Sequence, residues 1–355
     1  MPSTTEPSSL QCYDTTKSYS WNYDHPPDIV EIDVAGVPGN WTFCGLPVNS
    51  PLGMPAGPLL NGRWCLYYAS LGFDVVTYKT VRSVERGCYE LPNLQAVTCG
   101  QLDGSENDLP MATDMKGGSW AVSFGMPSKS PDVWRADVEQ TRQQLRKGQL
   151  LSVSVVGTVQ EGWSDEDLAR DYAHCARWAV ESGADAIETN FSCPNVATQD
   201  GQIFQQPTVA AIVTEAVREA VGKTPYIIKI GHLPHFDQAR QLVDAVAPFV
   251  DALAMTNSVA TTVVDDHGKR LFDGAPRGIC GTAIREASIE QTQCVASIAA
   301  ESSADLKLIG VGGASYAEDV HRYLNAGAHA VHLATAPMLN PLVAVEIRER
   351  WSRGS

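Results

Sequence analysis

The sequence predicts an α/β protein built as a single (β/α)8 TIM barrel, preceded by an N-terminal arm and a β-hairpin. Three observations carry this. Eight short apolar or β-branched runs alternate with stretches of helical pattern. The runs are continuously apolar, as strands covered on both faces are. Eight such units fill about 300 of 355 residues with no second block of different composition, which favours one barrel over a doubly wound sheet.

Taken in order, residues 1–27 are rich in Ser, Thr and Pro without periodicity, and read as a flexible or surface-draped arm. Residues 28–52 read as a hairpin whose strands, 29–34 and 41–44, flank the turn Gly36-Val37-Pro38-Gly39. The barrel follows over 53–355. Its expected strands are 53–57, 74–80, 151–157, 186–192, 226–231, 252–258, 307–313 and 330–335. Its expected helices are 62–71, 133–145, 165–182, 208–221, 236–247, 284–300, 316–326 and 342–351. Asp165 and Glu166 crowd the start of one helix, as its dipole favours. One segment breaks the rhythm. Residues 81–130 are too long for a simple connection and rich in Gly, Pro and polar groups, so an insertion over the active site is expected.

The net charge of −15 argues against nucleic acid or an anionic membrane as partner. No apolar run reaches the ~18 residues of a membrane span, and no secretory-type start is present, so a cytoplasmic protein is expected. Nine cysteines show no C-x-x-C pair and no clustering with histidine. Free thiols in a reducing compartment fit that pattern better than a disulfide scaffold, and no metal site is expected.

The C-terminal ends of barrel strands share one mouth. Here that mouth collects Ala56-Gly57, Lys79-Thr80, Asn190 with Cys193, Lys229, Asn257-Ser258, Gly312-Gly313 and Ala334-Thr335. Lys79 and Lys229 interrupt apolar runs, and a buried lysine is costly unless an anion or acceptor meets it. A strand-end lysine can also reach solvent. Two on different strands, beside Glu188 and Asn190, favour a functional reading, with Glu188 as candidate partner. The glycine-rich ends of strands seven and eight suit an anion, or mark only tight turns. Cys193, before Pro194, is either a small buried hydrophobe or a thiol of lowered pKa that serves as a base.

Residues 188–195, Glu-Thr-Asn-Phe-Ser-Cys-Pro-Asn, resemble the signature of the class 1 dihydroorotate dehydrogenases. The similarity extends from about residue 29 to about residue 341. It includes Pro55-Ala56-Gly57, Tyr78-Lys79-Thr80, Ile228-Lys229, Thr256-Asn257-Ser258, the run 278–284 and Gly310-Val311-Gly312-Gly313. Residues 256–258 and 278–284 also resemble the pyrimidine-binding barrel of dihydropyrimidine dehydrogenase. The resemblance implies an FMN-dependent oxidoreductase acting on a carbonyl-adjacent CH–CH bond of a small ring substrate, with dihydroorotate as the expected one.

In that reading Cys193 is the proton-transfer base, and Lys79 shares the catalytic centre. Ala56, Gly57, Lys79, Thr80, Asn190, Lys229, Ser258, Gly281, Gly312, Gly313, Ala334 and Thr335 hold the cofactor. Asn190, Asn195, Asn257, Ser258 and Ser123 hold the substrate. The family's Asn-Ser-x-Gly-x-x-Asn run reads Val122-Ser123-Phe124-Gly125-Met126-Pro127-Ser128 here. Valine in place of the first asparagine removes a hydrogen bond to the ring, worth about 1–3 kcal/mol. That departure admits the same flavin chemistry on another dihydropyrimidine or conjugated ring. A non-catalytic flavin-binding scaffold is a further reading, against which the joint retention of Lys79, Asn190, Cys193, Asn195 and Lys229 counts. The resemblance also implies a homodimer using fumarate, or an electron-transfer partner subunit, and residues 196–204 look more like the partnered type.

Overall fold

The computed structural model describes residues 10–106, 108–115, 117–192, 199–302 and 304–352. Eight parallel strands close into a barrel in chain order. They are β1 (Leu52–Met54), β2 (Val75–Val81), β3 (Leu150–Val155), β4 (Ala186–Asn190), β5 (Tyr226–Lys229), β6 (Ala252–Met255), β7 (Lys307–Val311) and β8 (Ala330–His332). The surrounding helices are α1 (Gly62–Ser70), α2 (Pro131–Gln144), α3 (Asp165–Glu181), α4 (Pro207–Val221), α5 (Phe236–Val246), α6 (Arg285–Glu301), α7 (Ala317–Asn325) and α8 (Val343–Ser352). The (β/α)8 barrel read from the apolar runs is therefore the fold. Helix α3 starts with a capping box: Ser164 Oγ accepts from Asp167 N, and the Asp167 carboxylate accepts from Ser164 N. No helix among the described residues is long and apolar enough to cross a membrane.

The floor of the barrel is apolar. A hairpin of Trp41–Phe43 and Leu46–Val48 covers it, and Phe43 and Val48 pack with Val75, Leu150, Ala186, Ile227, Ala252, Ile309 and Ala330. This hairpin lies later in the chain than expected. The strand read at 29–34 does not pair with another strand: Val30 and Ile32 pack against the main core, and Val30 N donates to Ser70 Oγ at the end of α1. An alternating apolar pattern also suits an extended segment lying on a helix. The actual turn is Cys44-Gly45, with both residues at positive φ, 47° and 84°, the backbone that tight hairpins require.

The long insertion is ordered into sheet. Leu94–Thr98, Met111–Ala112 and Ser119–Val122 join Val259–Thr261 and Arg277–Gly281 in a five-stranded sheet, whose pairs are all antiparallel. The second excursion, after β6, was not marked in the sequence. From residue 10 the arm is packed on the barrel, with a short helix at Tyr19–Asp24 and with Tyr13 and Tyr19 buried in the core.

Candidate active site

The mouth end of the barrel opens into a cleft with about 1000 Å³ of empty space, open solvent included. Ten of the expected residues line it: Ala56, Gly57, Lys79, Thr80, Asn190, Lys229, Asn257, Ser258, Ala334 and Thr335. Barrel geometry explains the convergence. Lys79 and Thr80 come from β2, Asn190 and Lys229 end β4 and β5, and the others begin the loops after β1, β6 and β8. Asn190 and Lys229 are register partners across two neighbouring strands.

The polar groups are held in place. Asn190 Oδ1 accepts from Ser192 N at 3.0 Å, and Asn257 Nδ2 donates to Ser192 O at 2.8 Å, so the chain after β4 is tied to the chain after β6. Thr80 Oγ1 and Ser154 Oγ are 3.0 Å apart. Lys79 Nζ lies 5.1 Å from the ring centre of Phe124 and 5.9 Å from that of Tyr19, within cation–π range. The return of the insertion is fixed by the buried Arg82. Its backbone N donates to Ser128 Oγ at 3.0 Å, Nε to Met126 O at 3.2 Å and Nη1 to Gly157 O at 2.6 Å. That clamp presents Phe124 and Met126 to the cleft.

Below these groups lies a charged interior. Glu188 and Lys229 are 2% and 5% exposed. Burial pushes the Glu188 carboxyl up and the Lys229 ammonium down, while their mutual attraction opposes both shifts. Glu188 Oε1 has no hydrogen-bond partner among the described residues. His332 is also buried, with both ring nitrogens unpartnered among the described residues, and its ring stacks on Phe43 at 5.8 Å. Burial and then the Lys229 charge lower its pKa to about 3, so the imidazole is neutral.

Three expected glycines stand behind the wall rather than in it. A Cβ on Gly281, whose φ is +91°, would lie 1.9 Å from Gly118 O, and one on Gly313, at φ +70°, 2.6 Å from Gly281 O. A Cβ on Gly312 would meet Ser288 Oγ at 2.2 Å. Their absent side chains allow the backbone at Gly118, Gly281 and Gly313 to pack closely. Ser123 is not among the lining residues either: its hydroxyl accepts from Arg277 Nε at 2.9 Å. Its neighbour Val122 does line the cleft. Cys193 and Asn195 lie outside the described residues. The sequence reading missed Tyr13 from the arm and Leu94 and Trp120 from the insertion, all of which line the cleft.

A sequence model described as "Dihydroorotate dehydrogenase" matches residues 65–353. A dihydroorotate dehydrogenase of Dictyostelium discoideum is 33% identical, over 96% of this chain and 97% of its own length. The catalytic subunit of a dihydroorotate dehydrogenase B (NAD(+)) from Staphylococcus carnosus is 30% identical, over 58% of this chain and 63% of that one. A crystal structure of the Eimeria tenella enzyme DHODH in complex with ferulenol shares the fold, with a TM-score of 0.71 at 18% identity, covering 94% of this chain and 88% of the other. The chain thus belongs to the dihydroorotate dehydrogenase family, a family of oxidoreductases acting on CH–CH bonds.

Proposed function

We propose that this protein is an FMN-dependent dehydrogenase that oxidises dihydroorotate to orotate. The observation that supports it most is the meeting of Lys79, Asn190, Lys229, Asn257 and Ser258 around one cleft at the mouth of a barrel of this family. The residues present fit a flavin mononucleotide. Gly281, Gly312 and Gly313 would offer backbone amides to the phosphate, Ala334 and Thr335 line the cleft, and Lys79 and Lys229 would meet an electron-rich edge. Ala56 and Gly57 would back the flavin ring.

When bound, FMN supplies the acceptor for the hydride that leaves the substrate. The chain's part is orientation and proton transfer. Asn190, Asn257 and Ser258, with Asn195, would hold the ring, and the Cys193 thiolate would take the proton from the carbon next to the one that gives up hydride. Val122 on the cleft wall favours one competing reading, another dihydropyrimidine as substrate. The electron acceptor is fumarate in a homodimer or a partner subunit; similarity to chains named catalytic subunits supports the second.

The purified protein is expected to carry a flavin spectrum that dihydroorotate bleaches without oxygen faster than dihydrouracil or dihydrothymine. A colourless protein that FMN cannot reconstitute would end the proposal, and faster bleaching by dihydrouracil would transfer it to the other ring. Cys193→Ser should keep its flavin and slow the bleaching.

A further inference from the structure

The turn that follows β5 is held from a distant helix. Gln291 lies within α6 and is 4% exposed. Ala287 and Val295, one helical turn away on either side, are buried with it. An apolar residue would cost less to bury at such a position.

Both halves of the Gln291 carboxamide go to one short piece of backbone. Oε1 accepts from Leu233 N at 2.7 Å, and Nε2 donates to Gly231 O at 2.9 Å. The turn is thereby fixed on both sides of His232. These residues lie past the end of β5, so a side chain supplies the hydrogen bonds that a strand ladder would otherwise make.

The turn in its place fixes Asn257. Ile230 O accepts from Asn257 N at 3.0 Å. Ser192 O accepts from Asn257 Nδ2 at 2.8 Å, and Ser192 stands against the same turn. A Cβ on Gly231 would lie 2.8 Å from Ser192 Oγ and 2.6 Å from Phe204 Cζ. With no slack on that side, a shift of Gly231 moves Ser192 or Phe204. The two anchors of Asn257, one for its backbone and one for its carboxamide, both border the backbone that Gln291 holds.

We propose that Gln291 is a positioning residue for the reaction: it holds the turn after β5, and through that turn the Asn257 side chain that meets the ring substrate in the cleft. The inference rests on the reading of Asn257 as a substrate contact beside FMN. It extends that reading to a helix residue that does not itself line the cleft.

The test uses the FMN-loaded protein and orotate, with binding read from the perturbation of the flavin absorption band. Gln291→Met keeps the length of the side chain and removes both bonds. It is expected to weaken orotate binding about 5- to 30-fold and to raise KM with kcat changed less than about threefold. Flavin content should remain that of the wild type. Asn257→Ala should weaken orotate binding on its own. Adding Gln291→Met to it should weaken binding less than about twofold further, because the group that Gln291 positions is already gone. Gln291→Glu keeps the acceptor for Leu233 N and loses the donor to Gly231 O; it should shift binding in the same direction, and it takes the place of the methionine variant if that one does not fold. Orotate binding as tight as in the wild type, with only the melting temperature lowered, would overturn the proposal. So would losses that multiply in full when combined with Asn257→Ala, or loss of flavin in place of loss of orotate. Unchanged orotate binding in Asn257→Ala alone, or failure of the wild type to take up FMN or bind orotate, would instead refute the reading of the cleft and the proposal with it.

Discussion

The two ends of the barrel treat buried charge in opposite ways. At the floor, Asp74 and Arg348 are 3% and 4% exposed and their contacts close on the protein itself. Arg348 pairs with Asp74 and donates to Gly72 O, Ala35 O and Ser50 Oγ, while Ser50 Oγ donates to Asp74 at 2.6 Å. At the mouth, Glu188 and Lys229 are buried as deeply, yet a carboxylate oxygen of Glu188 has no partner among the described residues. A charge network that satisfies itself holds structure together. The incomplete one reaches the cleft through Lys229.

The comparison can be broken most directly at the floor. Arg348→Met leaves Asp74 buried without its cation, which should cost about 3–5 kcal/mol in urea unfolding; a loss below about 1 kcal/mol would show that the floor does not depend on the pair. A second test reads His332, between the two ends. Its pKa is about 3 when folded and near 6.5 when unfolded, so between these values only the unfolded chain takes up the proton. Stability from this residue is complete above pH 6.5 and falls as pH drops, by about 1.4 kcal/mol per pH unit for one proton. His332→Leu should make the stability profile between pH 6 and pH 4 shallower by that slope, and parallel profiles would rule out a neutral buried imidazole. The last test is at the mouth, where Glu188→Gln leaves Lys229 buried without its counter-charge and the effect is read on the cofactor. The substitution should raise the midpoint potential of bound flavin, because Lys229 loses its counter-charge; an unchanged potential would separate Glu188 from the cofactor.

The eight barrel strands and their helices were legible because strands buried on both faces are apolar throughout and helices between them carry a 3.6-residue pattern. Lys79, Asn190, Lys229 and Asn257 were legible as polar residues at the ends of such runs. The insertion sheet was not, because its strands are two to five residues long and pair across long sequence gaps, such as Val122 with Gly278. Tyr13 carried no signal at all. Its place depends on hydrogen bonds to α1, more than forty residues on, and a lone aromatic among Ser and Thr gives no hint of them. Ser123 was assigned to the substrate from its neighbours in a motif, but it faces Arg277.

The Arg348 network has a consequence for how the chain is made. It ties helix α8 to Ala35, Ser50 and Asp74, segments separated from it by 313, 298 and 274 residues. During synthesis the early segments emerge long before the arginine that fastens them, so the barrel stays unlatched until α8 is out. A ribosome paused before α8 should therefore hold a nascent protein that proteases cut near residues 35–74, and release of the last helix should protect them.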